Sequence, residues 1–585
     1  YSVCRSLLYR SSVCLLFFFF QAEDGIRGAQ ESRGLGYVYK RQLYELGLSG
    51  GAGMIGIGNG RTQADKNAEI VSVFDYIPKA EQAAILAGTS TYDCTDDIHD
   101  ARDAVDGTGK TLRFPGGTYY VGEVEFSGSG YILDTSAATF QQKPGLTGDE
   151  GLHPIITFPQ SADNIRMGDA RLSGNIATDE DEYSHGIAVI SANNITIGDV
   201  YGEDIRGDVL YTYGRNTSEA EYQRNLTVGV VRGSNILRCI VAMAGGDATI
   251  EGIVQEGGVG YRCFDPEPNA EAGYQPVSAR VGFIRGSTIQ ITSAAVGNIN
   301  AYVSIDEADL DGDLLEDSTP GYTGYPGANA IAWAINRTNT VRIGKVTMRN
   351  YDSYPVSLAD LWKSIQIGVM DFSGCGAVEA VFKSIVVQQG AAGNGVFKVD
   401  HVTGILASSA HMIFRSDTGL LKIDVGSVDT DGGKFGARLT GHVGTMNMDL
   451  GGGGGEICFT ICEDMHVGAA TITDSATAYG FFQCANLTLN EWTATFGSGL
   501  DYTSASTAIV AINSAVNGSF VPGINMLVGT TAVSVGGVQL LGAQGAAVAN
   551  AVNAVGVPTQ AEFNAFVTQF NALAARLRSH GIIAT

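Results

Sequence analysis

The sequence predicts an all-β chain wound as a parallel β-helix, a solenoid of stacked coils, and three observations predict it. Short β runs carrying apolar anchors recur roughly every 18 to 24 residues between Val341 and Leu487, and every 24 to 31 before that, where loops are inserted. The 585 residues include 78 glycines, only 13 prolines and 44% hydrophobic side chains, which suits a large ordered core rather than disorder. Hairpin signals are few, which disfavours the alternative, a flat β-sandwich. Such a length exceeds one ordinary globular domain, but repeat folds grow without splitting. Each coil buries one face and cannot fold alone, so the coils must stack.

In chain order, residues 1–42 stand apart. A basic start and the apolar run Val13–Phe20 imitate a signal peptide, but Gln21-Ala22-Glu23-Asp24 follows with no small-residue cleavage site. The run is too short to span a membrane. The stretch F-F-F-F-Q-A-E-D-G-I-R, with Val38–Gln42, resembles translated sequencing-adapter DNA, so no fold is expected there. On that reading, whatever region precedes Leu43 in the native protein is missing. Residues 43–70 read as a neck or linker, flexible or extended; the G-x-G patterns of Gly47–Asn59 follow no strand and open no helix, so they make no nucleotide fingerprint.

The solenoid is expected over residues 71–512. Val71–Tyr76 reads as a strand, and Pro78–Gly88 as a short helix with proline in its first turn and glycine at its end. Thr95-Asp96-Asp97 caps a second helix whose apolar face is Ile98, Ala101 and Val105. Lys110–Val121 gives two β runs around Pro-Gly-Gly. From Ile155 the recurring runs follow, among them Asp163–Asp169, Asn193–Val200, Arg224–Val231, Asp247–Val254, Thr340–Val346, Ser364–Met370, Leu421–Val428 and Asp464–Ile472. Ser304–Ser318 is strongly acidic. Asp309, Asp311 and Asp313 imitate a calcium loop, but Gly312 falls at the fourth position and not the sixth, so a solvated loop is expected. Residues 513–557 turn to Ala, Val and Gly and read as a β or linker region. Residues 558–585 begin with the capping box Thr559–Glu562 and carry an a/d seam of Phe563, Phe566, Phe570, Leu573 and Leu577, which predicts a short C-terminal helix able to trimerise or to dock on its own chain.

A net charge of −25 argues against nucleic acid as a general partner, and no membrane partner is expected. Beyond residue 42 the seven cysteines, Cys94, Cys239, Cys263, Cys375, Cys458, Cys462 and Cys484, form no disulfide framework. Cys458 and Cys462 with His466 and Cys484 nearby suggest zinc, but buried thiols in stacked strands are the favoured reading, and no metal is assigned.

Chemistry concentrates between Tyr201 and Asn269. In F-D-P-E-P-N, Asp265 and Glu267 share one face of a strand, and two carboxylates so close repel, which poises one as acid and one as base. Asp208, Arg238 and Glu256 join them if the preceding runs stack alongside. In a glycosidase, one carboxyl protonates the leaving oxygen while the other attacks or activates water; separations of about 5–5.5 Å imply retention and about 6.5–9.5 Å inversion. In a lyase, a base takes the proton beside a uronate that Arg206, Arg238 or Arg262 neutralises. Paired carboxylates suffice for hydrolysis, which is therefore favoured, and no cofactor is expected. Tyr201, Tyr211, Tyr213 and Tyr261 are candidates to stack on sugar faces.

The order V-S-V-F-D-Y, T-D-D-I-H-D-A, L-R-F-P-G-G-T-Y resembles the beginning of pectate-lyase-like right-handed β-helices, above all those of bacteriophage tailspikes, where the helix caps the open end of the solenoid. The runs D-V-L-Y-T-Y-G, N-I-L-R-C-I-V and F-D-P-E-P-N resemble the same group. The resemblance implies a right-handed coil with an N-terminal capping helix, and a homotrimer in the virion or outside the cell. It further implies a bacterial capsule or lipopolysaccharide as partner, with attachment to the phage particle through the missing N-terminal region. It puts Asp208, Arg238, Glu256, Asp265 and Glu267 in a groove within one chain or between chains. The absence of N-T-D, G-D-D and R-I-K patterns from this region departs from polygalacturonase-like relatives and speaks against pectin as substrate. A non-catalytic receptor-binding tail protein and a secreted bacterial enzyme are the competing expectations.

Overall fold

The computed structural model describes residues 44–46, 48, 51–144, 153–176, 184–214, 221–259, 262–267, 276–291, 301–314, 333–336, 340–351, 355–359, 362–373, 375, 384–389, 395–405, 412–449, 456–473, 478–482, 487–495, 509–514, 533–535, 538–541, 564, 568, 570–572 and 575. Among these, strands stack in register into one sheet of 23 strands, parallel but for the antiparallel pair Val533–Val535 and Val538–Leu541, and a second, parallel one of 14, the architecture of a parallel β-helix. Each of the recurring runs predicted from the sequence supplies a strand of the larger sheet, as Asp163–Met167, Leu226–Ser234, Gly246–Gln255, Leu421–Asp431 and Met465–Thr473 show. The smaller sheet collects the strands that follow each of them, such as Leu210–Tyr213, Cys239–Met243 and Arg262–Pro266.

Alternation writes the faces. Leu421–Asp431 buries Leu421, Ile423 and Val425, exposes Gly426, leaves Ser427 half-buried and then buries Val428 and Thr430. The one-residue change of parity at 426–427 bends the strand, and the register skips at the same place on rung after rung: Ile305 pairs with Ile343 and Glu307 with Lys345, Ile343 with Ile367 and Lys345 with Val369. The larger sheet thus bends into two faces, and the smaller one closes the coil around a continuous apolar core. Phenylalanines stack through that core: Phe397, Phe414, Phe435 and Phe459 follow one another at centroid distances of 5.9, 5.4 and 4.9 Å. Each fully buried side chain of this size contributes on the order of 1.5–3 kcal/mol.

A second device sits at the tight turns. Asn164, Asn194 and Asn225 all take left-handed backbone, with φ of 53°, 54° and 56°, which asparagine tolerates better than other side chains. Asn194 Nδ2 donates to Asp163 Oδ1 and Asn225 Nδ2 to Asn194 Oδ1, each at 2.8 Å, so the turns are tied from coil to coil.

The first coils are covered by helices Lys79–Leu86 and Thr95–Asp103, the second burying Ile98 and Ala101 against the core. Its start differs from the expected cap. Thr95 is already helical, and the Asp93 carboxylate accepts from its amide at 3.1 Å and its hydroxyl at 2.6 Å. The strand expected over Val71–Tyr76 is Ile70–Ser72, because Ser72 and Asp75 form a capping box that turns Val73–Asp75 into a 3-10 helix. Within the neck, Gly56–Gly58 and Arg61–Thr62 pair as a small antiparallel hairpin beside helix Gln63–Asn67, so this part is folded and not extended.

The acidic stretch is also corrected. Ala301–Asp311 is a strand of the larger sheet, and Arg349 on the next rung binds Asp309 and Asp311, the latter with Nε at 2.8 Å. These carboxylates already have a cation, and residues 315–318 lie outside the described residues. Of the C-terminal segment only Asn564, Thr568, Phe570, Asn571, Ala572 and Ala575 are described, as helical; Phe563, Phe566, Leu573 and Leu577 lie outside. Cys94, Cys239, Cys263, Cys375 and Cys462 are buried free thiols, and Cys458 and Cys484 fall outside what can be described of side chains.

Candidate functional site

Strand register assembles the site. Ile187 pairs with Leu210, Leu210 with Val241 and Val241 with Phe264, all four being core anchors of the smaller sheet. Two residues upstream of these anchors stand His185, Asp208, Cys239 and Arg262, one above another on successive coils, with Cys239 and Arg262 themselves a paired position. One residue downstream stand Ala188, Tyr211, Ala242 and Asp265, paired in the same order. The three runs singled out between Tyr201 and Asn269 do stack side by side, and this stacking brings Asp208 and Asp265 to Cys239.

Asp208 is wholly buried. Its Oδ1 accepts the Cys239 amide at 3.0 Å, and its Oδ2 stands 3.2 Å from His185 Nδ1 and 3.7 Å from Arg238 Nη1. His185 Nδ1 also accepts the Asp208 amide N–H at 3.0 Å. Burial works to raise this carboxyl, but the Arg238 charge and the Cys239 N–H outweigh it and hold it below the ordinary carboxylate value.

Asp265 is 1% exposed although it takes the outward parity of its strand, the neighbouring Phe264 being in the core. Arg262 Nη1 donates to its Oδ2 at 3.1 Å, and Cys239 Sγ lies 3.9 Å from the same oxygen. Here burial prevails. Set against Arg262 and reinforced by the charges of Glu267 and Asp208, it pushes the Asp265 carboxyl up to about 7. Between the two carboxyls the Cys239 thiol is driven well above its ordinary value by burial and both negative charges, so it is no nucleophile at neutral pH. The arginine side chains are the part nearest water, 22% exposed for Arg238 and 11% for Arg262.

Of the other candidates, Glu267 follows the strand, its amide donating to Met243 O at 2.9 Å, and acts on Asp265 through its charge. Glu256 is drawn elsewhere. It follows strand Gly246–Gln255 of the larger sheet and pairs with Arg232 at 3.2 Å, where its charge, with that of Glu203, bears on Tyr201. That cluster is separate from Asp208 and Asp265: Tyr201 and Arg232 are on strands of the larger sheet, and Asp265 is on a strand of the smaller one. Arg206 turns its Nη1 to Ile176 O at 3.4 Å rather than to a carboxylate. Tyr211 gives one ring face to His185, stacked at 4.5 Å and 3°, which leaves at most one face for a sugar. Tyr213 ends the same strand, half-buried, and Tyr261 lies outside the described residues.

His185 and Cys239 are the members that sequence reasoning missed. Their signal is positional: Ser184-His185-Gly186 stands before the run Ile187–Ile190 as Gly207-Asp208-Val209 stands before Leu210–Tyr213. Among the described residues no group of three or more His, Cys, Asp or Glu side chains has an arrangement that could hold a metal ion.

No family model matches the chain, and no curated protein does. Among solved structures it is similar to the crystal structure of PfbA, a surface adhesin of Streptococcus pneumoniae, at 12% identity and a TM-score of 0.33, over 72% of this chain and 92% of that one. The fold assignment rests on the strand register and not on that likeness.

Proposed function

We propose that this β-helix binds a bacterial surface polysaccharide, capsule or lipopolysaccharide, and hydrolyses it at the Asp208–Asp265 cluster. One observation carries the proposal. Two carboxyls flanking one residue, Cys239, are driven in opposite directions by their surroundings, Asp265 up to about 7 and Asp208 below its ordinary value. Such a division is what general acid–base chemistry at neutral pH requires. Asp265 then protonates the leaving glycosidic oxygen, and Asp208, ionised, activates water or attacks the anomeric carbon. Arg238 and Arg262 lie between these groups and solvent, so a saccharide meets them first and must turn them aside. The test is release of reducing ends from capsular and lipopolysaccharide preparations by the full chain and by Asp265→Asn. Equal release by both would move the chemistry elsewhere.

A second reading is favoured by the burial of both carboxyls. In it Asp208 and Asp265 are struts that fix Arg238 and Arg262 for an acidic sugar, and the protein binds without cutting. Binding of polysaccharide with no reducing ends released by the wild-type chain would select it.

The tailspike resemblance extends the first reading to a homotrimer borne on a phage particle and acting outside the host. The seam Phe563, Phe566, Phe570, Leu573 and Leu577 supports assembly through the C-terminal helix, since a helix of this length gains from a partner surface. Sedimentation of the full chain against a chain ending at Val557 tests it; a monomeric full chain would end it.

A further inference from the structure

On the larger sheet, in coils beyond those of this cluster, the bend forms an open groove of about 330 Å³. Its plan is two columns by four coils. Ser304, Arg342, Gln366 and Lys398 are paired in register along one column. Two residues on, at the bend, come Asp306, Gly344, Gly368 and Asp400. The two middle coils therefore have no side chain at the bend. Ile305, Ile343 and Ile367 also line the groove, but their side chains are in the core, at 1%, 2% and 1% exposure, so they present peptide groups alone. The floor is bare backbone, the wall is Arg342 and Gln366, and a carboxylate closes each end.

Glycine at the bend is not in itself informative, because it continues at Gly426, Gly444 and Gly468. What distinguishes the groove is its wall. Other basic side chains on these strands have carboxylates: Lys345 meets Glu307 at 3.9 Å, Arg349 meets Asp311 at 2.8 Å, and Lys398 meets Asp424 at 3.6 Å. Arg342 sits between Ser304 and Gln366 in register, both neutral, and among the described residues it forms no ion pair. A planar guanidinium left with its donors open, beside a groove with exposed peptide groups, suits a carboxylate.

We propose that this groove is a second binding site, for a saccharide chain running along the solenoid axis with one carboxylated sugar flanked by neutral ones. Arg342 takes the carboxylate, and Gln366 and the peptide floor take hydroxyls and amides. Asp306 and Asp400 accept hydroxyls at the ends, where a further negative charge would be repelled. Three coil steps at ~4.8 Å give a length of about 14 Å, room for two to three sugars. The absence of apolar side chains from the floor disfavours a lipid or an apolar peptide. The net charge of −25 disfavours a nucleic acid. The proposal is independent of catalysis at Asp265.

The experiment titrates the full chain by calorimetry with the hyaluronan-derived trisaccharide N-acetylglucosamine–glucuronate–N-acetylglucosamine, and with the same trisaccharide after reduction of its carboxyl to the alcohol. The acidic form is expected to bind with a millimolar or lower Kd, and the reduced form at least about tenfold more weakly. Arg342→Gln should abolish that difference, while Lys345→Gln, on the same strand but outside the groove, should keep it. Trigalacturonate, charged on every sugar, should bind more weakly than the acidic trisaccharide. Any binding at the Asp265 cluster persists in Arg342→Gln, so the change on substitution isolates the groove. Equal affinities for the acidic and reduced forms, an unchanged Arg342→Gln, or no binding up to about 10 mM would each overturn the proposal.

Discussion

Arg262 Nη1 stands 3.1 Å from Asp265 Oδ2, yet this ion pair does not keep the carboxyl in its ordinary range. Burial, joined by the charges of Glu267 and Asp208, pushes it up to about 7. A folded value above the unfolded one of ~3.9 means that the native state holds a proton the unfolded chain has released. Stability is then fully present below about 4 and is lost as pH rises through 7, by at most ~1.4 kcal/mol per pH unit. Asp208, lowered, works in the opposite sense: its contribution is present above the ordinary carboxylate value and is lost only as pH falls below it. Asp265→Asn removes the first dependence alone. Its melting temperature relative to wild type should therefore climb between pH 4 and pH 8. A difference that stays flat over that window would show that the Asp265 carboxyl is not raised.

Amide substitutions should separate the two acidic clusters. Asp208→Asn removes the buried carboxylate that faces Arg238 and is expected to cost on the order of 1–3 kcal/mol. Glu256 and Arg232 are each more than a third exposed, so Glu256→Gln should change stability by less than ~1 kcal/mol. If saccharide is cleaved, Asp265→Asn and Asp208→Asn should each lower turnover at least ~100-fold, and Glu256→Gln should not. Denaturant midpoints and reducing-end assays on the same preparations decide. Full activity in the Asp265 and Asp208 variants would remove them from the chemistry.

The solenoid was legible because each coil repeats the same burial problem, so apolar anchors such as Val341, Ile365 and Phe397 recur at coil spacing and then pair in register. The site was legible only in part. Asp208, Arg238, Arg262 and Asp265 stand out as charged residues inside apolar runs. Glu256 does too, and the Gly257-Gly258 pair after it marks a turn but not which sheet Glu256 belongs to. His185 escaped because its role comes from a position two places before an anchor, which is visible only once Ile187 is known to pair with Leu210. The reading of Asp309 and Asp311 as a loop failed for a similar reason: their counter-charge, Arg349, lies 38 residues beyond Asp311 and is brought alongside by one turn of the coil.

The asparagine turns can be dissected at Asn194, which combines left-handed backbone at φ 54° with a ladder bond to Asp163 and another from Asn225. Asn194→Gly keeps the backbone and loses the ladder. Asn194→Ala loses both, and should cost ~1–2 kcal/mol more than glycine if the left-handed conformation matters. Paired denaturant curves would read the gap. Equal costs would mean that the side-chain ladder, and not φ, selects asparagine here.

The bend of the larger sheet offers the sharpest steric test. A Cβ added to Gly368 would stand 2.3 Å from Gly344 O, closer than real Cβ contacts come, whereas one added to Gly56 in the N-terminal hairpin would meet nothing within 4 Å. Gly368→Ala should therefore destabilise by ~1–3 kcal/mol, while Gly56→Ala stays within ~0.5 kcal/mol. Because each coil touches only its neighbours, the lesion should first be felt locally, as faster amide exchange in Thr340–Arg349 and Val396–Ile405 with little change around Asn193–Ile197. Asp306 and Asp400 carry side chains in the same column, so the demand for glycine belongs to the individual coil and not to the column as such. If Gly368→Ala matches wild type in both stability and exchange, that coil can adopt the geometry of its aspartate-bearing neighbours. The bare floor beside Arg342 would then not be imposed by backbone stacking.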